Sequence, residues 1–393
     1  MAHTAQPLSD LPKIILRVDT SRACGRGILL GVAAYCRAHE QWQLSQQPPF
    51  YVRSVANEAS WSESWEAQGI IISRPDIPQN VIDMGIPIIG VDVRRPIANL
   101  PNIVGDAEMI ARMAAEHFLQ RGFQHFAYCG FQGIPWAVQR GDCFVTQISA
   151  AGFSIESYYQ PEPPDQASWD QQPLHLADWI ERLPKPMGLF VCNDDGARLV
   201  LQACRIGGVQ VPEAVAVLGV DNDGMICSLC DPPLSSIALS FQQVGYEAAA
   251  LLDQMMQGQE RPQSQRILLE PSHVYTRQST DILAVSDSTV AQAIRFIREH
   301  AGDPIQVNDV VEAVATSRRA LEYRFEKALG FSINHNIKHV RTEQITLMLT
   351  ETDLTVSQIA NLLGYTDTQH IARYFRREKG MSPQAFRRTC GRS

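Results

Sequence analysis

The sequence predicts an α/β chain: a two-lobed domain built on parallel sheets, followed by an all-α domain with two helix-turn-helix units. Three observations carry this expectation. Short apolar runs alternate with amphipathic stretches over roughly the first 280 residues, the pattern of strands linked by helices. A helix, a tight turn and a second helix then recur twice near the end. Charge divides at the same place. The chain carries 34 Lys and Arg against 42 Asp and Glu, net -8, yet Asp281 to Ser393 holds 15 basic and 13 acidic residues. A slightly basic tail behind an acidic front puts any phosphate-contacting surface in the tail.

KIILRV, from Lys13, reads as the first strand and Gly27 to Ala38 as a helix. GIIIS (69–73) and IPIIGVD (86–92) are apolar runs bounded by Gly and Pro, as buried strands are. NIVGD (102–106) leads into a helix from Ala107 to Arg121, and HFAYCG (125–130) is the next strand. A helix from Arg140 to Ala150, a strand at FSIESY and a helix from Leu174 to Leu183 follow. GLFVCND (188–194), a helix to Ile206 and VAVLGVD (215–221) continue the alternation. Ile237 to Gly258, with Val244, Ala248, Leu251 and Leu252 in helical register, reads as one helix, and QRILLEPSHVYTRQST as one closing strand. This is more material than one sheet needs, so two lobes are expected. The predicted division is a tail (1–12), a two-lobed α/β domain (13–277), a linker (278–287) and a helical domain (288–393).

In the helical domain Val307, Val310, Val311 and Val314 form one apolar stripe, and Thr316-Ser317 caps the next helix. That helix turns Leu321 and Phe325 inward and Arg318, Arg319 and Glu322 outward, and closes at Leu329-Gly330. His339 to Leu349 reads as a helical connector. Val356, Ile359, Ala360 and Leu363 repeat the stripe, Gly364 turns the chain, and Thr366 or Asp367 caps a helix that buries Ile371 and Phe375. Thr368, Gln369, Arg373 and Arg376 face outward. Two reading helices on one rigid connector can address successive major-groove segments about 34 Å apart.

Composition excludes several classes. At 45% hydrophobic residues the chain can fill ordinary globular cores. No run of 18 apolar residues exists, and MAHTAQPLSDLPK lacks the apolar centre of a signal peptide, so a cytoplasmic protein without a membrane partner is expected. Nine cysteines, an odd number scattered through apolar segments, read as reduced thiols; Cys227 and Cys230 form a single CxxC without two further ligands nearby, so no metal is expected. Walker A, GxSxG, HExxH and strand-following GxGxxG motifs are absent, so neither an enzyme nor a cofactor is expected.

SRRALEYRFEKALGFSI, VRTEQITLMLTETDLTVSQIANLLGY and FRREKGMSPQAFRR resemble the tandem DNA-binding domain of AraC/XylS transcription regulators, departing at His370-Ile371, where that family usually has an aromatic pair. RGILLGVAAYC, AAEHFLQRGFQHFAYCGF, RGDCF, FVCNDDGARLVLQACRIGGVQVPEAVAVLGVDND and PLSSIALSFQQVGYEAAALLDQMM are similar to the effector domain of LacI/GalR repressors and periplasmic sugar-binding proteins. The two together, in this order, resemble xylose-responsive activators, which implies D-xylose as the first candidate effector, operator DNA and RNA polymerase as partners, and a homodimer. Another pentose, a hexose or a glycoside would suit the same layout, and a transport binding protein or a sugar-acting enzyme is the more distant reading.

Polar residues stand where apolar strands run out: Asp19, Asp106, Asn193, Asp194 and Asp221. In open parallel sheets ligands bind beyond those strand ends. A neutral sugar needs carboxylates to take hydroxyl protons, Arg or Asn to donate, and an aromatic face for its C–H side. The resemblance assigns Asp106, Arg140, Asn193, Asp194 and Asp221 to the polar roles; Asp19 and then Arg22 are weaker members, and Trp136, a few residues before Arg140, is the candidate stacking wall. Leu239 stands where related sensors often have a polar side chain. Arg318, Arg319, Glu322, Thr368, Gln369 and Arg373 are the candidate base readers, and Arg376, Arg377, Lys379, Arg387 and Arg388 the candidate phosphate contacts.

Overall fold

The computed structural model describes residues 11–39, 42–46, 67–73, 77–91, 96–161, 166–259, 266–285, 287–365 and 367–390. Thr366, most of the expected tail, the end of the IPIIGVD strand and Ser286 of the expected linker lie outside them. The chain forms two compact units, Met1–Ala107 with Gly133–Gln139 and Ser240–Glu270, and Glu108–Gln132 with Arg140–Leu239 and Pro271–Ser393.

In chain order the elements are β1 (Lys13–Arg17), α1 (Ala23–Ala38), β2 (Gln43–Gln46), β3 (Gly69–Ile72), α2 (Gln79–Asp83), β4 (Ile88–Gly90) and β5 (Asn102–Gly105). They continue with α3 (Ala107–Leu119), β6 (His125–Phe131), α4 (Pro135–Ala150), β7 (Ile155–Gln160), α5 (Gln166–Arg182), β8 (Met187–Val191), α6 (Asp194–Ile206) and β9 (Val215–Asp221). Then come α7 (Gly224–Leu229), β10 (Ser235–Leu239), α8 (Phe241–Met256), β11 (Arg266–Leu269) and β12 (Pro271–Tyr275). Seven helices end the chain: α9 (Ser288–Glu299), α10 (Val307–Ala313), α11 (Arg318–Leu329), α12 (Ile333–Glu351), α13 (Val356–Leu362), α14 (Thr368–Lys379) and α15 (Pro383–Cys390).

The first unit holds a six-stranded sheet in the order β11-β5-β4-β3-β1-β2, every pair parallel. Its central strands are apolar on both faces (Ile70, Ile71 and Ile72 are at most 1% exposed) because helices cover both sides. The second unit holds β12-β10-β9-β8-β6-β7, parallel except for β12. The expected two parallel sheets are therefore present.

Several boundaries differ from the sequence reading. Ile237, Ala238 and Leu239 belong to β10, not to the helix, which starts at Phe241; a strand buried throughout shows no alternation, so its apolar run merged with the stripe of α8. The expected closing strand is two strands, β11 in the first sheet and β12 in the second, parted at Glu270-Pro271. The polar edge strand β2 and short α2 carried no apolar signature. Helix α4 starts five residues earlier than expected, with Pro135 in its first turn, where a missing N–H costs nothing. The first part of 278–287 is not slack chain. Ser279 and Thr280 are fully buried, and Ser279 Oγ donates to the Val217 carbonyl at 2.7 Å.

The helical domain has two cores. Val290, Ile294, Leu321, Phe325, Ile333 and Ile337 belong to the first; Ile345, Leu349, Ile359, Ile371, Phe375 and Phe386 form the second. Helix α12 contributes to both, and its 19 residues span about 28 Å at 1.5 Å per residue. Ser317 caps α11 through Ala320 N–H, and Asp367 caps α14 through Gln369 N–H. Thr355 and Gln358 form a capping box at α13. The two turns take left-handed backbone, at Gly364 (φ 67) and at Ala315 (φ 50), where alanine stands in the conformation glycine tolerates best.

Two histidines are sunk in the second unit, His117 (2% exposed) on α3 and His273 (7%) on β12. Burial first, then the nearby Arg121, holds His117 well below its ordinary value. Burial, with Lys379 and Arg277 adding to it, takes His273 down to about 4. Both lie below the ~6.5 of an unfolded chain, so the unfolded state takes up protons first as pH falls. The stability they preserve is full above about pH 6.5 and is lost toward their folded values. Urea unfolding should show stability falling between pH 7.5 and 5.5, by about 1 kcal/mol for His273 alone. His273→Asn should flatten that slope.

Candidate ligand site and nucleic-acid interface

The second unit gathers four of the expected site residues at one sheet edge. Strands β8 and β9 are parallel neighbours, with Phe190 opposite Leu218. Continued three residues, that register sets Asn193 level with Asp221. Arg140, 6% exposed on α4, donates through Nη1 to the Cys192 carbonyl beside them. Asn193 caps α6, its Oδ1 accepting from Gly196 N–H at 2.9 Å, so its amide NH2 is the part that can donate to a ligand.

Asp194 has a different part from the one expected of a direct sugar ligand. It is 1% exposed, and both oxygens are engaged. Oδ1 accepts from Ser236 Oγ at 2.6 Å; Oδ2 accepts from Asp223 N–H at 2.8 Å and from Cys227 Sγ at 3.4 Å. Burial pushes its pKa above the ordinary carboxylate range, opposed by these donors and by Arg277. The carboxylate ties the end of β8 to the β9–α7 loop and to β10, and so braces the edge. Asp221, the last residue of β9, has φ 105, and Asn222 follows at φ 48. Two successive non-glycine residues in left-handed backbone store strain of order 1–3 kcal/mol each, the kind concentrated at binding sites. Arg277 Nη2 holds Asn222 Oδ1 at 2.8 Å.

In the first unit Asp19 follows β1. Its backbone N–H donates to Ser73 Oγ at 3.0 Å and its Oδ1 accepts from Ser21 N–H at 2.8 Å. Arg22 is the N-cap residue of α1. Asp106 follows β5 at the start of α3, its N–H bonded to the Leu269 carbonyl at 3.0 Å. The two acids share an edge, but β4 and β3 lie between their strands, a separation of about 14 Å at 4.8 Å per strand. Trp136 is half-buried on α4, one helical turn before Arg140. Leu239 ends β10 at 8% exposure.

Gly219, Ser236, Asn222 and Arg277 did not stand out in the sequence. Gly219 carries the clearest missed signal, a glycine inside an apolar strand, which marks a close approach. A Cβ there would lie 2.3 Å from Asp194 Oδ1. All three cysteines near the edge (Cys129, Cys192, Cys227) have thiols raised by burial, and no group of His, Cys, Asp and Glu among the described residues is placed to hold a metal.

On α11, Arg318, Arg319 and Glu322 are exposed, as is Tyr323 at 67%, an aromatic the sequence reading passed over. Arg318 Nε donates to Glu322 at 2.9 Å and its Nη1 reaches Asn308 at 3.3 Å. An exposed i,i+4 pair of this kind is worth only about 0.3–0.5 kcal/mol, so DNA can displace it. On α14, Thr368, Gln369, Arg373, Arg376 and Arg377 are exposed, as is His370, edge-on to Tyr365. Lys379 is half-buried and close enough to depress His273 on β12. Arg387, expected to contact phosphate, donates through Nε to the Leu349 carbonyl at 3.1 Å and so braces α15 on α12. Arg388 is exposed.

A periplasmic binding protein-like domain matches residues 115–280, and a helix-turn-helix domain matches residues 310–389. Together with the two sheets and the paired helical cores, they define a transcription regulator with an α/β sensor in front of its DNA-binding domain. The chain is 30% identical to the xylose operon regulatory protein of Escherichia coli (strain K12) over 385 residues, 95% of this chain and 96% of that one. It is equally similar to the Haemophilus influenzae protein of that name, at 30% over 390 residues, 96% and 98% of the two chains. A solved structure, that of the xylose-binding transcription activator xylR, superposes with a TM-score of 0.59 at 28% identity, covering 98% of this chain and all of the other. The chain belongs to the family of xylose operon regulatory proteins. No helix among its described residues is long and apolar enough to cross a membrane.

Ser236→Ala should lower stability by about 1–3 kcal/mol, because it leaves one oxygen of a buried carboxylate unpaired. Gly219→Ala should cost a similar ~1–3 kcal/mol by overpacking the same carboxylate. Thermal unfolding with circular dichroism reads both.

Proposed function

We propose that this chain is a D-xylose-dependent transcriptional activator that works as a homodimer in the cytoplasm, binding operator DNA through both helix-turn-helix units and recruiting RNA polymerase. The match to xylose operon regulators across sensor and DNA-binding domain alike is the observation that carries the reading. Asp106, Arg140, Asn193 and Asp221 are the residues we assign to the sugar hydroxyls, with Asp19 a weaker member and Trp136 the wall for the C–H face. Asp194 supports the site as its internal brace. A set rich in carboxylates suits a neutral monosaccharide and repels a phosphorylated one. A wrong sugar leaves a buried polar group unpaired at about 1–3 kcal/mol per lost partner, which is the source of selectivity.

Arg319, Gln369, Thr368 and Arg373 are assigned to base edges, with Arg318 and Glu322 released from their pairing to meet DNA. Arg376, Arg377 and Arg388 are assigned to phosphates, where each loss weakens binding without changing sequence preference and lowers the salt dependence. Lys379, beside His273, is the weakest member of that set.

In a thermal-shift panel of monosaccharides, D-xylose at about 100 times its Kd should stabilise the protein by about 2.7 kcal/mol. Asp221→Asn should reduce that shift. Arg319→Ala should lower affinity for xylose-gene promoter DNA while leaving the shift intact. A different sugar giving the largest shift would reassign the ligand, and loss of both activities in Arg319→Ala would make that residue structural.

A further inference from the structure

We propose that Arg121 is the joint through which the ligand-side edge of the second sheet positions the DNA-binding domain; the proposal rests on the sugar-dependent reading above. Arg121 lies two residues beyond α3 and is 5% exposed. Its guanidinium donates through Nε to the Thr280 carbonyl at 3.0 Å, through Nη1 to the His117 carbonyl at 3.0 Å, and through Nη2 to Thr276 Oγ1 at 3.2 Å. Its own carbonyl accepts from Ala284 N–H at 2.8 Å. One side chain and one carbonyl thus pin the segment 276–284, which is the covalent tether to the helical domain.

A continuous line of short hydrogen bonds leads from that node to the candidate site. Thr280 Oγ1 donates to Ser235 Oγ at 2.8 Å, and Ser235 Oγ donates to the Arg277 carbonyl at 2.9 Å. The Arg277 guanidinium holds Asn222 Oδ1 at 2.8 Å. Asn222 N–H donates to Ser236 Oγ at 3.0 Å, and Ser236 Oγ to Asp194 at 2.6 Å. Because the Thr280 hydroxyl is spent on Ser235, the 2.9 Å contact from His117 Nε2 requires an Nε2–H donor, in keeping with a neutral imidazole. The left-handed backbone at Asp221 and Asn222 is the strained element we assign to the switching step in this transmission. A sugar seated on Asp221 biases the Asn222 backbone, and Arg277 carries the bias into the tether.

On the other side of the node the tether enters the helical domain. Leu283 and Val285 pack on its first core, and Val285 with Leu329 fills the space over Gly122, the residue after Arg121. Asp281 lies 3.8 Å from Arg298 on α9. Glu343 on α12 is 3.1 Å from His339 and is about a third exposed at its side chain. Burial would raise its pKa, but His339, then Arg121 and His117, hold it well below the carboxylate range. On the connecting helix the partner of this carboxylate is His339, one turn earlier.

Arg121 is a positioning residue, and its test separates transmission from folding. D-xylose affinity and promoter-DNA affinity with and without D-xylose are measured for the wild type, Arg121→Gln and Arg121→Lys. The wild type should show a change of about tenfold in DNA affinity on adding sugar. Arg121→Gln should keep its D-xylose Kd within about threefold while that change falls below about twofold, with partial rescue by Arg121→Lys. An undiminished change in Arg121→Gln overturns the proposal. If Arg121→Gln fails to fold, Thr280→Val, which removes the hydroxyl shared by Ser235 and His117 but keeps the carbonyl that Arg121 holds, is held to the same outcomes. Sugar-free calorimetry adds an independent arm: sensor and helical domain should melt together in the wild type and separately in Arg121→Gln. If the wild type itself ignores D-xylose, the functional reading fails. The calorimetric arm then still decides the joint, because a single unchanged transition in Arg121→Gln overturns it.

Discussion

A carboxylate with no water to solvate it must find protein donors for its oxygens, and Asp194 is that carboxylate here. Ser236, the Asp223 backbone and Cys227 supply them from three separate segments. Their convergence fixes the end of β8, the loop after β9 and the start of β10 with respect to one another. Asp194 braces the candidate ligand edge, and the left-handed backbone at Asp221 and Asn222 lies beside that brace. Gly219 is glycine for the same reason, since any side chain there would occupy the carboxylate's place.

The helical domain obeys a different constraint. Each helix-turn-helix unit is too small to bury much on its own, and α12 joins them by placing Ile333 and Ile337 in one core and Ile345 and Leu349 in the other. The polar faces of α11 and α14 are then held at a spacing set by a helix, not by a loop. Between sensor and helical domain the chain does not go slack. Ser279, Thr280 and Ala284 are hydrogen-bonded into the sensor before α9 begins, so the region read as linker is partly structural.

Much of this was legible in the sequence, for physical reasons that can be named. Parallel strands end in polar residues on a common edge, so Asn193, Asp194 and Asp221 could be grouped from their positions after apolar runs. The helix-turn-helix units declared themselves by valine and leucine spacing and by Ser317 and Asp367 as caps. Other features left no local trace. Ile237–Leu239 looked helical because a strand buried on both faces loses its alternation. One closing segment became two strands because an apolar run does not reveal which sheet it joins. Residue type and position do not disclose that Ser236, forty-two residues away, donates to Asp194. Nor does the sequence disclose that Arg387 Nε donates to the Leu349 carbonyl.

Regulation of this kind requires that sugar and DNA each alter the other's affinity by one and the same factor. The most direct measurement is calorimetric titration of D-xylose into the protein alone and into its complex with xylose-gene promoter DNA. The account predicts that DNA tightens the sugar Kd, by the factor that sugar tightens DNA binding. An identical D-xylose Kd with and without DNA, at saturating DNA, would contradict it.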